Sequence, residues 1–376
     1  MDIIYNMAFS SISTIHSMIN KKKNVSGGPF SGSVQLLSMA GQDSRSISST
    51  WMSINGTGNY LIAVSYLPNS VSYLSTNAGS TWTKINSTPI VDGLNLRQAW
   101  ISRDGVYRIH AINCPPNEST GYVYSSSNSG SSYTSKAIRE LQGAFVSDNG
   151  NVKLVSVNGG QLYRIYNSPT TNDFTNTQVS TNMIRGPIKG SSNGQYLLNY
   201  TGDYGMQFST NYGASWYSLA GVTGLTGSTN SNMVDMAISG DGQYMIIAGT
   251  GYKLWKTSNY GTNWTTITAS NTLVNGLPNT STYTSTTNTW AACSASKTGQ
   301  YMSVAGYFNQ GETFGTNAYV FISSDYGSSW ISKQIPLNST IIDPSLLTST
   351  MSYNDAGVPN KIFTATYGQG IFYIDF

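Results

Sequence analysis

One eight-residue stretch recurs along the chain, and its recurrence restricts the possible folds more than any other feature. The best-formed copy reads Ser323-Ser324-Asp325-Tyr326-Gly327-Ser328-Ser329-Trp330. Near-copies read Ser75-Thr76-Asn77-Ala78-Gly79-Ser80-Thr81-Trp82, Ser126-Ser127-Asn128-Ser129-Gly130-Ser131-Ser132-Tyr133, Ser209-Thr210-Asn211-Tyr212-Gly213-Ala214-Ser215-Trp216 and Thr257-Ser258-Asn259-Tyr260-Gly261-Thr262-Asn263-Trp264. An Asp or Asn at the third position accepts hydrogen bonds from nearby backbone N–H groups, and a glycine two residues later takes the positive φ that a tight hairpin needs. The aromatic residue three places after the glycine opens the next strand and packs over the turn. Each copy is a hairpin corner that satisfies its own polar groups, so the chain is a repeat protein.

A second signal alternates with the corners. Gly turns followed by Tyr or Val occur at Asn55–Tyr60, Arg103–Tyr107, Asp148–Val152, Ser192–Tyr196, Gly240–Tyr244 and Lys297–Tyr301. The repeating unit is a strand, this turn, a buried strand, a loop, a third strand, the corner and a fourth strand. In the third unit the corner has decayed to Ser168–Phe174, which keeps the aromatic residue and loses the glycine. A seventh unit starts near Ser349 and supplies three strands, ending at Phe376. The missing outer strand is available at the other end of the chain, in Ser33–Met39, and pairing the two ends closes a ring with no exposed sheet edge. The 343 residues from 34 to 376 divide into seven units of 49, within the roughly 40–50 residues of a propeller repeat. The expected fold is all-β: a seven-bladed β-propeller of four-stranded antiparallel blades over 33–376, closed by an N-terminal strand that completes the last blade.

The corner resembles the Asp-box, or BNR, repeat of sialidases, sortilin-type receptors, some glycoside hydrolases and the photosystem II assembly-factor propellers. The residues that carry the resemblance are Asn77, Gly79 and Trp82; Asn128, Gly130 and Tyr133; Asn211, Gly213 and Trp216; Asn259, Gly261 and Trp264; and Asp325, Gly327 and Trp330. Four of the five copies have Asn where a catalytic carboxylate would need Asp, and the motif is assigned a structural role.

Residues 1–32 carry no repeat. The spacing of Ile3, Ile4, Met7, Phe9, Ile12, Ile15, Met18 and Ile19 allows a short amphipathic helix that could dock on a partner, or the arm is a loosely ordered tail. Its Lys21-Lys22-Lys23 is the only basic run, and a net charge of +3 from 19 basic and 16 acidic residues does not point to nucleic acid. Charged residues make up only 9% of the chain. The N-terminus lacks the basic, apolar pattern of a secretory signal, and no stretch approaches the apolar length of a membrane span. Cys114 and Cys293 are read as free thiols.

In a propeller the Gly turns and the corners emerge on one face, and the remaining loops and blade-to-blade connections on the other. Departures from the repeat on that second face are the candidates for function. They are the insertions Asn113–Thr120 in blade two and Tyr307–Gly315 in blade six, and the long connection from about Ala269 to Asn288. Arg97, Glu118, Tyr307, Phe308 and Glu312 are the candidate contacts.

The resemblance to sialidases implies an arginine triad, an acid/base Asp and a Glu-activated Tyr. The chain has seven arginines, the last being Arg185, so the later blades offer none. Tyr107-Arg108-Ile109-His110 and Tyr163-Arg164-Ile165-Tyr166 lack the Pro of the sialidase signature and read as strand residues. Asp92, Asp203, Asp235 and Asp343 lie in or near connections, with no spacing that pairs them as glycosidase carboxylates. Two histidines, His16 and His110, and no Cys/His cluster imply no metal, and no cofactor is implied. Two readings remain. The first is a non-catalytic binding or assembly module with protein partners or a glycan, and a loose compositional similarity to propellers of large DNA viruses implies a virion-associated role. The second is a glycan-active enzyme or a lectin-like relative.

Overall fold

A computed structural model describes residues 30, 32–39, 41–43, 52–65, 70–86, 90, 96–112, 121–138, 141–157, 161–165, 174–177, 184–201, 205–219, 233–249, 254–267, 289–308, 317–336, 348–366 and 370–376. The first strand, β1 (Gln35–Leu36), is followed by a small hairpin of β2 (Ser38–Met39) and β3 (Gln42–Asp43). Six four-stranded antiparallel sheets then follow in order. Blade one is β4 (Met52–Asn55), β5 (Leu61–Ser65), β6 (Ser72–Ser75) and β7 (Thr83–Ile85), and blade two is β8 (Leu96–Ile101), β9 (Arg108–Ile112), β10 (Gly121–Ser126) and β11 (Thr134–Ile138). Blade three is β12 (Leu141–Val146), β13 (Lys153–Val157), β14 (Gln161–Ile165) and β15 (Phe174–Thr177), and blade four is β16 (Ile184–Gly190), β17 (Leu197–Thr201), β18 (Gly205–Ser209) and β19 (Tyr217–Ser218). Blade five is β20 (Met233–Ile238), β21 (Met245–Gly249), β22 (Leu254–Thr257) and β23 (Thr265–Ile267), and blade six is β24 (Thr289–Ala295), β25 (Met302–Phe308), β26 (Asn317–Ser323) and β27 (Ile331–Ile335). Blade seven takes β28 (Thr348–Tyr353), β29 (Pro359–Thr366) and β30 (Gly370–Asp375) from the end of the chain and β1 from its beginning.

The closure has the expected register. Gln35 pairs with Tyr373 and Leu36 with Phe372, and the Leu37 N–H donates to the Ile371 carbonyl at 2.7 Å. The ring is therefore a seven-bladed propeller sealed by its own first strand. The packing reaches further back than that strand: Phe30, which the sequence reading places in the arm, is buried among Val320, Ile322, Met351, Ile362 and Ile374 of blades six and seven. Its ring meets those of Tyr301 and Phe376 edge-on. Residues 1–29 and 31 of the arm lie outside the described residues.

Burial falls from the inside of each blade outward. The second strands β5, β9, β13 and β21 are buried along their whole length, whereas β19 is exposed and β7, β11 and β23 largely so. The apolar clusters sit between blades. Ile109, Ala111 and Val123 of blade two pack on Ala144, Val155 and Val157 of blade three, and equivalent sets join blades four to five and five to six. A blade has two apolar faces and no core of its own, so only the closed ring buries all of them.

Candidate functional site

The inner strands converge on the axis and enclose a cavity of about 130 Å³, lined by one or more residues of every blade, among them Asn55, Trp100, Phe145, Lys189, Met236, Cys293 and Ser349. Its turn-face end is built from the Gly turns. In five blades the turn begins with a buried serine, Ser102, Ser147, Ser191, Ser239 or Ser296. Its hydroxyl accepts the N–H five residues on, at 2.9 Å from Tyr107 and 3.0 Å from Val152. In four of them it also donates to the Asx two residues on, as from Ser147 to Asn149 Oδ1 at 2.9 Å. The turns are thereby rigid.

Rigid turns bond to one another. The N–H of Arg103 in blade two donates to the Asp148 carbonyl in blade three, Asp148 N–H to the Ser192 carbonyl in blade four, and Ser192 N–H to the Gly240 carbonyl in blade five, at 3.1, 2.7 and 2.8 Å. Asp241 N–H continues to the Lys297 carbonyl of blade six at 3.3 Å, and Tyr353 N–H of blade seven closes on Thr57 of blade one at 2.8 Å. Side chains fill the middle of this belt. The Thr57 hydroxyl donates to Asp148 Oδ1 at 3.0 Å, and Arg103 donates to the Tyr353 carbonyl and to Asp355 Oδ1 at 3.2 and 2.9 Å. Burial raises the Asp148 carboxyl above its ordinary value against the Thr57 hydroxyl and the Arg103 and Lys297 cations. Burial, and then the charge of Asp148, pushes the Tyr353 phenol up to about 12. The arrangement is a hydrogen-bonded plug that closes one end of the channel.

Higher in the channel, a brace joins three blades. Asp235 on β20 lies 3.6 Å from the Lys189 ammonium of blade four and accepts the Cys293 N–H of blade six at 2.9 Å. Asp235 was expected in or near a connection. It lies instead within an inner strand beside a β-bulge, where it caps an N–H on the channel edge of the next sheet. Burial raises its carboxyl in spite of Lys189. Burial, and then the neighbouring Asp235, raises the free thiol of Cys293 well above its usual value, so it stays protonated and unreactive.

Two further ionisable groups are buried between blades. His110 on β9 is fully enclosed, 3.3 Å from the Ser72 hydroxyl of blade one and edge-on to Tyr133. Burial and the adjacent Arg108 lower its imidazole to about 3. Lys153 at the start of β13 is also enclosed, its ammonium 5.2 Å from the centre of the Tyr107 ring, and burial lowers it to about 8.

Three of the five candidate contacts, Arg97, Tyr307 and Phe308, fall at the other end of the strands. Arg97 lies in β8 at the bulge between Leu96 and Gln98, and Tyr307 and Phe308 end β25, in register with Ala318 and Asn317. Glu118 and Glu312 lie outside the described residues, as do Asp92, Asp203 and Asp343. Arg108 to His110 belong to β9 and Tyr163 to Ile165 to β14, the strand positions the sequence reading gave them.

The corners are hydrogen-bonded as their composition requires. Asn77 Oδ1 accepts from the Thr81 N–H at 2.8 Å, the Ser75 hydroxyl accepts the Gly79 N–H at 2.8 Å, and Trp82 Nε1 donates to the Gly79 carbonyl at 3.1 Å. Asn128 and Gly130, and Asn211 and Gly213, repeat the first two bonds, and Trp216 and Trp264 repeat the third onto Gly213 and Gly261. Tyr133 holds the aromatic place in blade two and packs with the cluster between blades one and two. In blade six Asp325 accepts from the Ser328 and Ser329 N–H groups at 3.0 and 2.8 Å, but the indole N–H of the buried Trp330 has no partner among the described residues. There Lys256 of blade five donates to the Gly327 carbonyl at 3.0 Å. The turn belt is marked in the sequence only by the serine before five of the turns, a signal not used among the sequence-based expectations.

No family model and no curated protein matches the chain. Among solved structures it is similar to YCF48 bound to D1 peptide, at 12% identity over 91% of this chain and 95% of that one, with a TM-score of 0.54. Likeness extends to 1404 solved chains, a breadth that marks an architecture rather than an activity. No helix among the described residues is long and apolar enough to cross a membrane.

Proposed function

We propose that the chain is a non-catalytic binding and assembly propeller whose partner is a protein, engaged by the connections at the end of the disc opposite the turn belt. One contrast between the two ends carries this reading. At the turn face the connections are short, alike from blade to blade and hydrogen-bonded to each other. The strands at the opposite end are joined by segments as unequal as 139–140 and 268–288, with insertions at 113–120 and 309–316. Variable loops held by a rigid ring are the usual arrangement of a recognition surface. Arg97 and Tyr307 stand where strands run into that end, with Glu118 and Glu312 in the insertions. YCF48, which shares the architecture, was solved with a peptide bound, and this supports a protein ligand here.

The low charge of the chain fits a contact made by tyrosine, amide and hydroxyl groups rather than by ion pairing. The likeness of the corners to Asp-box propellers, and of the composition to propellers of large DNA viruses, makes a virus particle the first setting in which to seek the partner. The test is a pull-down from the native source with the full chain and with a variant in which 309–316 is replaced by a short Gly-Ser linker. A partner retained by the first and lost by the second is expected. Equal recovery with both, and with an equivalent replacement at 113–120, would refute the assignment to this end. A deletion that probes the arm should stop at residue 28, because Phe30 is part of the packed ring.

A further inference from the structure

Blades four, five and six share a departure on the turn face. Each follows its turn glycine with Gln-Tyr and places a second tyrosine, Tyr212, Tyr260 or Tyr326, at the fourth position of the corner. These three residues have φ of 62°, 58° and 59°, in the left-handed region where a bulky side chain is strained. Blades one and two hold Ala78 and Ser129 at the same position, with φ of 54° and 57° and the same N–H bond back to the turn. The corner therefore closes without a tyrosine. Yet Tyr212, Tyr260 and Tyr326 are 41%, 43% and 40% exposed. Tyr260 leans on Tyr196 at 5.2 Å between ring centres and Tyr326 on Tyr244 at 4.6 Å. The same aromatic step recurs between successive blades.

Between blades five and six this step borders a groove of about 290 Å³. Here the blade-five corner breaks its own rule. In blades one, two and four the Nδ2 of the third-position Asn donates at 2.8 Å to the hydroxyl at position seven. Blade five has Asn263 at that place, and it bonds to Asn259 through its backbone N–H, at 3.0 Å. Among the described residues the Asn259 Nδ2 and the Asn263 side-chain amide have no such bond, and both residues line the groove. Lys256, the one cation among the described residues lining it, directs its ammonium at the Tyr326 and Gly327 carbonyls, at 3.3 and 3.0 Å.

Open aromatic faces beside amides that both donate and accept, with the local cation committed to protein carbonyls, match one ligand chemistry well. A pyranose ring offers an apolar C–H face to a tyrosine and hydroxyls that both donate and accept. An anionic ligand would need an uncommitted cation, and a proline-rich peptide offers its neighbours carbonyl acceptors without the matching donors. We propose that the groove between blades five and six binds a neutral oligosaccharide, with Tyr244 and Tyr326 as the stacking platform and Asn259 and Asn263 as the hydrogen-bonding edge. Tyr260 extends the platform toward blade four for further sugar units. This site goes beyond the protein-binding reading and does not depend on it.

The test is calorimetric titration of the full chain with maltohexaose, cellohexaose and chitohexaose, and with a proline decapeptide as the competing class. At least one hexasaccharide binds saturably, and Tyr326→Ser, which copies the residue of the blade-two corner, weakens it about tenfold or more. Asn263→Ser restores the side-chain bond of the other corners, so it weakens binding while leaving the melting temperature unchanged or higher. If Tyr326→Ser proves unstable, Asn263→Ser alone decides. Absence of binding by all three saccharides at about 10 mM, binding that survives both substitutions, or binding of the proline peptide alone would overturn the proposal.

Discussion

Gly150→Ala tests whether the turn belt is held together in the way the structure implies. Gly150 has φ +68°, and a Cβ placed on it would lie 1.8 Å from the ring of Tyr107, which belongs to the preceding blade. Two costs add. An L-residue in the left-handed region costs about 1–2 kcal/mol, and forcing a methyl into a filled site costs about 1–3 kcal/mol more, so the substitution should destabilise by about 2–5 kcal/mol. The molecule contains its own control: Gly41 has φ +82° with no atom within 4 Å of a built Cβ, so Gly41→Ala carries only the backbone cost. Urea unfolding of both variants, and of Gly150→Ala in a Tyr107→Ala background, separates the terms. In the absence of the ring, the cost of Gly150→Ala should fall to that of Gly41→Ala. Equal losses for Gly150→Ala and Gly41→Ala, or strict additivity in the double variant, would show that tyrosine-on-glycine contact does not hold neighbouring turns in place.

His110 links folding to pH. Its folded-state value of about 3 lies below the unfolded 6.5, so its contribution is complete above pH 6.5 and is lost as pH falls toward 3, by about 2 kcal/mol at pH 5. His110→Gln should remove that part of the acid sensitivity, and urea midpoints at pH 7 and 5 that drop equally for both proteins would count against it. The corner tryptophans differ in one bond: Trp82 donates to a carbonyl and the Trp330 N–H is unpartnered among the described residues. Trp82→Phe should therefore cost about 1 kcal/mol more than Trp330→Phe, and a reversed order in thermal unfolding would refute the assignment.

The architecture was legible because the corner and turn motifs are local. Asn77, Gly79 and Trp82 form their hydrogen bonds within eight residues, so their spacing alone announces the hairpin, and counting hairpins gives the blades. The closing strand could be found because one unit lacked a strand and the other end of the chain had one to spare. The brace of Lys189, Asp235 and the Cys293 N–H could not be read this way. Its members come from three blades, and nothing local distinguishes Asp235 from an Asp in a loop. The plug of Thr57, Asp148 and Tyr353 was hidden for the same reason, since contacts 91 residues apart depend on the angle between sheets. The burial of Phe30 was not legible because a Phe in a Gly-, Pro- and Ser-rich stretch reads as tail until the wedge between blades six and seven is there to receive it.

Assigning one face to structure and the other to function treats all copies of a repeat as equivalent, and the structure shows that they are not. A corner needs a side-chain acceptor at position three, a glycine at position five and an aromatic residue at position eight, and the acceptor at position three is bonded within the corner in all five copies. Position four is free of such demands, because Ala78 and Ser129 hold its backbone conformation as well as Tyr260 or Tyr326. Selection for the fold alone would favour a small residue there, since a tyrosine at positive φ is strained. Three exposed tyrosines in succession, beside a corner that lacks the side-chain bond between positions three and seven among the described residues, indicate a demand from outside the fold. In a repeat protein the invariant positions therefore report the scaffold, and the tolerant positions within the same motif are where a second binding surface can be written.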